Sequence, residues 1–121
     1  MRILILGGDG YLGWPTALHF SQAGHEVTIV DNFAKRKIAL EEGVEPLFPI
    51  PTLQRRVKLW KEVTGLDINL RIGDLLNHRF AYRILRDTKP DAAGCACHEY
   101  GLLTFVLCGV CRRNDKGDDY K

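Results

Sequence analysis

Arg2-Ile3-Leu4-Ile5-Leu6-Gly7-Gly8-Asp9-Gly10-Tyr11-Leu12-Gly13 opens the chain, and Asp31 closes the next apolar run. Consecutive aliphatics from Ile3 to Leu6 have the habit of a strand buried on both faces, as in parallel sheets. Gly7, Gly10 and Gly13 follow at G-x-x-G-x-x-G spacing. Glycines so placed permit a tight turn, close backbone approach to a pyrophosphate, and close packing of helix on strand. A helix opening at this turn directs its N–H groups and the positive end of its dipole at phosphate oxygens. Asp31 stands 21 residues beyond Gly10, at the tip of a second predicted strand. There a carboxylate can accept hydrogen bonds from an adenosine ribose. The spacing alone would also suit a glycine-rich turn with no ligand. Strand before, helix after and acid at that distance together point to a dinucleotide.

The pattern works outward from that unit. Residues 11–23 read as a helix with Leu12, Ala17, Leu18 and Phe20 on its apolar face and Gly24 as its stop. Residues 25–31 form the second strand, rich in β-branched side chains. A short helix is expected over 35–42, and Pro46, Pro49 and Pro51 hold the next stretch extended. Thr52 caps a helix through Thr64, with Leu53, Val57, Trp60 and Thr64 at helical spacing and Gly65 as the stop. Ile68, Leu70 and Ile72 alternate as a third strand into Gly73-Asp74, and Asn77 caps a helix to Asp87 that turns Phe80, Ile84 and Leu85 inward. The fold class is α/β, the N-terminal half of a Rossmann-like doubly wound parallel sheet. Its strand order is 3-2-1, with room for a fourth strand beside the first.

After Asp91 the pattern falters. Ala92-Ala93-Gly94-Cys95-Ala96-Cys97 lacks the branched bulk of a buried parallel strand, whereas Leu102 to Val110 is apolar enough for a strand or a helix. All four cysteines, Cys95, Cys97, Cys108 and Cys111, fall in the last third, and residues 112–121 are polar and charged, the composition of a disordered tail. The chain therefore divides into a half-domain over 1–91 and an atypical Cys-rich and charged segment over 92–121. That segment reads as foreign, frameshifted or prematurely ended.

With 121 residues, 45% hydrophobic and 26% charged, the chain has material for one domain with a core. A net charge of +2 without a basic stripe gives no case for nucleic acid. No run approaches the roughly 18 apolar residues of a membrane span. Met1-Arg2 enters a strand at once, so the expectation is a cytoplasmic protein without a signal peptide. Cys95-x-Cys97-His98 and Cys108-x-x-Cys111 carry zinc-ligand residue types, but not at zinc-ribbon spacing, and no metal ligand is assigned. Trp14 and Trp60 read as packing residues.

The loop and its neighbours resemble the extended short-chain dehydrogenase/reductases, the NAD-dependent epimerase/dehydratase superfamily. Gly-Asp-Gly-Tyr followed by Gly13-Trp14 is similar to the UDP-sulfoquinovose synthase branch. So are Val30-Asp31-Asn32-Phe33 with Arg36, the segment from Leu47-Phe48-Pro49-Ile50 through Arg55-Arg56-Val57 to Trp60-Lys61, and Ile72-Gly73-Asp74-Leu75. That branch takes UDP-glucose and sulfite to UDP-sulfoquinovose, the donor for sulfolipid synthesis, around a tightly held NAD. The resemblance implies NAD as cofactor. Gly7, Gly10, Tyr11, Leu12 and Gly13 would lie along it, with Asp31, Asn32 and Arg36 at the adenosine end and Asp74 and Leu75 against adenine. It implies a UDP-sugar substrate for a full-length relative and leaves a homodimer open for it. Independently of the family, Asp31 favours NAD over NADP, because it would repel a 2′-phosphate. Lys35 and Arg36 work against that preference. The family's catalytic Tyr-x-x-x-Lys comes later than residue 121. Tyr82 has Arg86 four residues on, and neither Tyr100 nor Tyr120 has a lysine there, so no catalytic residue is carried over. The chain is expected to bind NAD without turning over substrate. A UDP-sugar epimerase or dehydratase, a non-catalytic nucleotide-binding module and a small cysteine-ligated metal protein are the rival readings.

Overall fold

The computed structural model describes residues 1–96 and 103–107. The elements in chain order are β1 (Arg2–Leu6), α1 (Gly13–Gln22), β2 (Glu26–Asp31), α2 (Ala34–Glu41), α3 (Leu53–Thr64), β3 (Ile68–Ile72), α4 (His78–Thr88), β4 (Ala92–Ala96) and β5 (Leu103–Leu107). The sheet order is β3-β2-β1-β4-β5. The first four strands are parallel and β5 runs antiparallel to β4. The doubly wound Rossmann-like half-fold expected from the opening residues is therefore present, with β1 at its centre.

Alternation along β1 sorts the core into two layers. Ile3 and Ile5 join Ala17 of α1, Val27 and Ile29 of β2, Leu53 of α3 and Ile68 of β3. Leu4 faces the other way, with Val30 and Ile84 of α4, and Leu75, Phe80 and Ala93 pack around them. Helices thus cover both faces, which is what a parallel sheet of continuous aliphatic strands requires. Trp60 fastens α3 to α1, its Nε1 donating to the buried Ser21 Oγ at 3.0 Å. Both tryptophans pack, as their sequence context suggested.

The predicted helix signals hold at their ends. Thr52 Oγ1 accepts from Arg55 N, Asn77 Oδ1 accepts from Arg79 N and Phe80 N, and Gly65 ends α3 with φ of 74°. Leu85 differs from expectation. It is exposed, because the buried stripe of α4 runs through Phe80, Ile84 and Thr88 at helical spacing and Leu85 sits one residue off it.

The larger correction concerns the residues after Asp91. Small as they are, Ala92 to Cys95 pair in parallel with Ile3 to Leu6, so β1 is not an open edge. The ladder needs only backbone groups, and Asp91 sets its register. Asp91 N–H donates to Arg2 O at 2.8 Å, and Asp91 Oδ2 accepts from Arg2 N at 2.7 Å. The Arg2 guanidinium adds an ion pair at 3.2 Å. Leu103–Leu107 is a separate strand rather than the fourth strand itself. Cys95 is disulfide-bonded, not a free thiol. Cys97, His98, Tyr100, Cys108, Cys111, Tyr120 and the polar tail from Arg112 lie outside the described residues.

Candidate nucleotide-binding site

The sequence-predicted residues converge at the carboxyl ends of β1, β2 and β3. Chain order reverses across β1, since β2 flanks it on one side and β4 on the other. Such a switch point is where open α/β sheets leave a ligand crevice. The loop from Gly7 to Leu12 lies over it. Gly7 has φ of 81° and donates its N–H to Val30 O at 2.8 Å, so the loop turns back across β2.

Each glycine meets a different demand. A Cβ on Gly13 would lie 2.0 Å from Gly7 O, so this position fixes the approach of α1 to the loop. A Cβ on Gly8 would lie 2.6 Å from Ile29 Cβ. At Gly10 the nearest atom would be Gly7 O at 3.4 Å, an ordinary contact that leaves open space beyond. Gly10 is therefore not required by protein packing. Helix α1 has no side-chain cap at Leu12, whereas Thr52 and Asn77 cap α3 and α4. In the first turn of α1, Trp14 N donates to Gly10 O at 3.1 Å, Thr16 N donates to Leu12 O at 3.2 Å and Pro15 has no N–H, so the helix start offers an anion its dipole more than a row of free donors.

Asp31 is tied into the loop. Its Oδ2 accepts from Asp9 N at 2.8 Å and its Oδ1 from Phe33 N at 2.7 Å. A carboxylate offers about four lone-pair directions, so two remain for hydroxyl donors. Phe33 adopts a left-handed φ of 57°, which costs a non-glycine residue about 1–2 kcal/mol. Asn32 Oδ1 accepts from Ala34 N at 3.0 Å and turns the chain into α2. On the neighbouring strand, Gly73 N donates to Asp31 O at 3.0 Å. Asp74 is exposed and closes a turn on Leu76 N at 2.9 Å, while Leu75 packs on the second core layer. Tyr11 is exposed, with Lys35 Nζ 5.7 Å from its ring centroid.

A charged cluster beneath this loop did not figure in the sequence reading. The Asp9 carboxylate is 8% exposed and pairs with both Arg36 and Arg56. Arg36 also donates to Ile50 O at 3.3 Å and to Pro51 O at 2.8 Å. Its hydrogen bond to Asp9 holds the guanidinium above its ordinary pKa. Arg56 donates to Asp9 O at 3.2 Å and stacks on Trp14, 4.9 Å from the ring centroid, and its Nε is buried without a partner. Arg36 is therefore an ion-paired bridge between the loop and the 50–51 segment.

Over 92 residues, 76% of this chain, the sequence is 46% identical to UDP-sulfoquinovose synthase of Sulfolobus acidocaldarius. Over 90 residues it is 39% identical to the chloroplastic UDP-sulfoquinovose synthase of Spinacia oleracea. Over 92 residues it is 40% identical to a UDP-glucose 4-epimerase of Klebsiella pneumoniae. Over this span the chain is homologous to enzymes of the extended short-chain dehydrogenase/reductase superfamily. It spans 23% and 19% of the two synthases and 55% of the epimerase. No family profile matches it. Among the described residues there is no group of His, Cys, Asp and Glu able to hold a metal, and no helix long and apolar enough to cross a membrane.

Proposed function

We propose that this chain is the NAD-binding part of a nucleotide-sugar-modifying enzyme of the UDP-sulfoquinovose synthase type. One observation carries the reading. The acid at the β2 tip and the phosphate loop form a single body, because Asp31 Oδ2 holds Asp9 N at 2.8 Å beside the open space at Gly10. Gly7, Gly10, Tyr11, Leu12 and Gly13 would hold the pyrophosphate against the first turn of α1. Asp31 would accept from the adenosine ribose, with Asn32 and Arg36 flanking it and Asp74 and Leu75 beside the adenine. Bound there, NAD supplies a hydride acceptor. This chain's own residues bind and orient it.

A UDP-sugar epimerase or dehydratase is the alternative, favoured by the similarity to the Klebsiella epimerase. Against it stands the segment from Leu47 to Trp60, which resembles the synthase branch. Calorimetric titration of the 121-residue chain with NAD and with NADP tests the cofactor reading. NAD is expected to bind more tightly. Asp31→Ala is expected to cost about 1.5–3 kcal/mol of NAD affinity, the range for hydrogen bonds to a charged group. Equal affinity for both nucleotides, or no effect of the substitution, would refute it.

A further inference from the structure

We propose that Asp9 is a cofactor-specificity residue, which sets the preference for NAD by sequestering the arginines that would otherwise accept a 2′-phosphate. The inference rests on the NAD reading of the same site and adds the residue that enforces it. A ribose held by Asp31 turns its 2′ position toward the β2 tip. The cations next to that tip are on α2 and α3. Arg36 lies close enough for the Asp31 charge to act on it, together with that of Asp9. Left to itself, a guanidinium there would form a charge-assisted fork on phosphate oxygens.

Asp9 prevents this in two ways. Its carboxylate takes Arg36 through both Nε and Nη2, and takes Arg56 as well. Two of the three remaining donors of Arg36 are turned to the carbonyls of Ile50 and Pro51. The four charges Asp9, Asp31, Arg36 and Arg56 therefore sum to zero, and a phosphate dianion gains no net attraction from them. Asp9 is also joined to Asp31 through its own backbone N–H, so the residue that occupies the arginines moves with the one that reads the ribose. Lys35 engages the Tyr11 ring, its Nζ 5.7 Å from the centroid.

The test compares NAD and NADP affinities of the 121-residue chain and its variants by calorimetry, with circular dichroism to verify folding. Asp9→Asn keeps shape and removes the charge. It should narrow the ratio of NADP to NAD dissociation constants about tenfold, the scale of one charge-assisted hydrogen bond to phosphate. Asp9→Ser removes the charge with a smaller side chain and should do the same. Adding Arg36→Gln to Asp9→Asn should abolish the gain, which a purely structural role for Asp9 would not produce. An unchanged ratio in a folded Asp9 variant that still binds NAD overturns this proposal and leaves the NAD reading standing. So does a gain that survives Arg36→Gln. A wild-type chain that binds neither nucleotide overturns the NAD reading, and this inference with it.

Discussion

Gly10 and Gly13 lie three residues apart in one motif, yet they should fail in opposite ways. At Gly13 a Cβ would stand 2.0 Å from Gly7 O, 2.8 Å from Gly7 C and 3.1 Å from Gly8 Cα. All three are backbone atoms of the loop, so no side chain can move aside. Gly13→Ala must push α1 off the loop by more than an ångström, and α1 carries the buried Ala17 and Ser21. Overpacking of this kind costs about 1–3 kcal/mol, a large share of the roughly 5–15 kcal/mol that holds a domain folded. At Gly10 the nearest atom to a Cβ is 3.4 Å away, and its φ lies outside the left-handed region. Gly10→Val should change stability by no more than about 0.5 kcal/mol, as surface substitutions do. Its methyl groups would, however, fill the space the pyrophosphate needs, and NAD binding should be lost. Urea denaturation followed by circular dichroism gives the stabilities, and calorimetry gives the affinities. A Gly10→Val chain that binds NAD as wild type, or that is destabilised as much as Gly13→Ala, would refute the division of labour argued for the two glycines.

Trp60→Phe should lower stability by about 1–2 kcal/mol, because it keeps the ring packing but strands the buried Ser21 hydroxyl that Trp60 Nε1 now satisfies; urea denaturation checks it, and a loss below about 0.5 kcal/mol would show the bond to be dispensable. The latch between β1 and β4 should weaken in acid. Hydrogen bonds from the Arg2 side chain and then the Arg2 backbone hold the Asp91 carboxyl below the usual carboxylate range. A depressed folded pKa means that this contribution is fully present above the unfolded value and fades as pH falls through the folded one. Hydrogen-exchange protection at Asp91 and the β4 amides, measured relative to the intrinsic rate at each pH, should fall over that acid range, and Asp91→Asn should remove this pH dependence of protection.

Much of this architecture was legible because its signals are local. Four aliphatics followed by glycines, a β-branched run ending in Asp31, and Thr52 and Asn77 at the heads of periodic segments each act within a few residues, and each lands as read. Leu85 misled because apolar character alone does not say which of two neighbours on a helix lies on the stripe. The place of β4 beside β1 was legible but its residues were not, for a different reason. Residues 92–96 have little propensity of their own, and their strand is made by partners far away in sequence, the β1 ladder and Arg2, whose contact with Asp91 spans 89 residues.

The same distinction explains what the motif hid at the site. G-x-x-G-x-x-G directs attention to the glycines and treats the intervening positions as fillers. Asp9 is one of those positions, and its partners are 27 and 47 residues away, on α2 and α3. A carboxylate at 8% exposure would be costly to bury if it were unpaired. Two arginines neutralise it, one of them stacked on Trp14 and the other fixed to the carbonyls of Ile50 and Pro51. Helices α2 and α3 therefore act on the loop itself, since they bring in the cations that let an acid sit inside it. Acid and arginines are complementary only together. Removing Asp9 leaves two half-buried cations without the carboxylate that pairs them, and removing the arginines leaves that carboxylate unpaired inside the loop. The loop's electrostatics are thus set by residues that the glycine spacing does not mention.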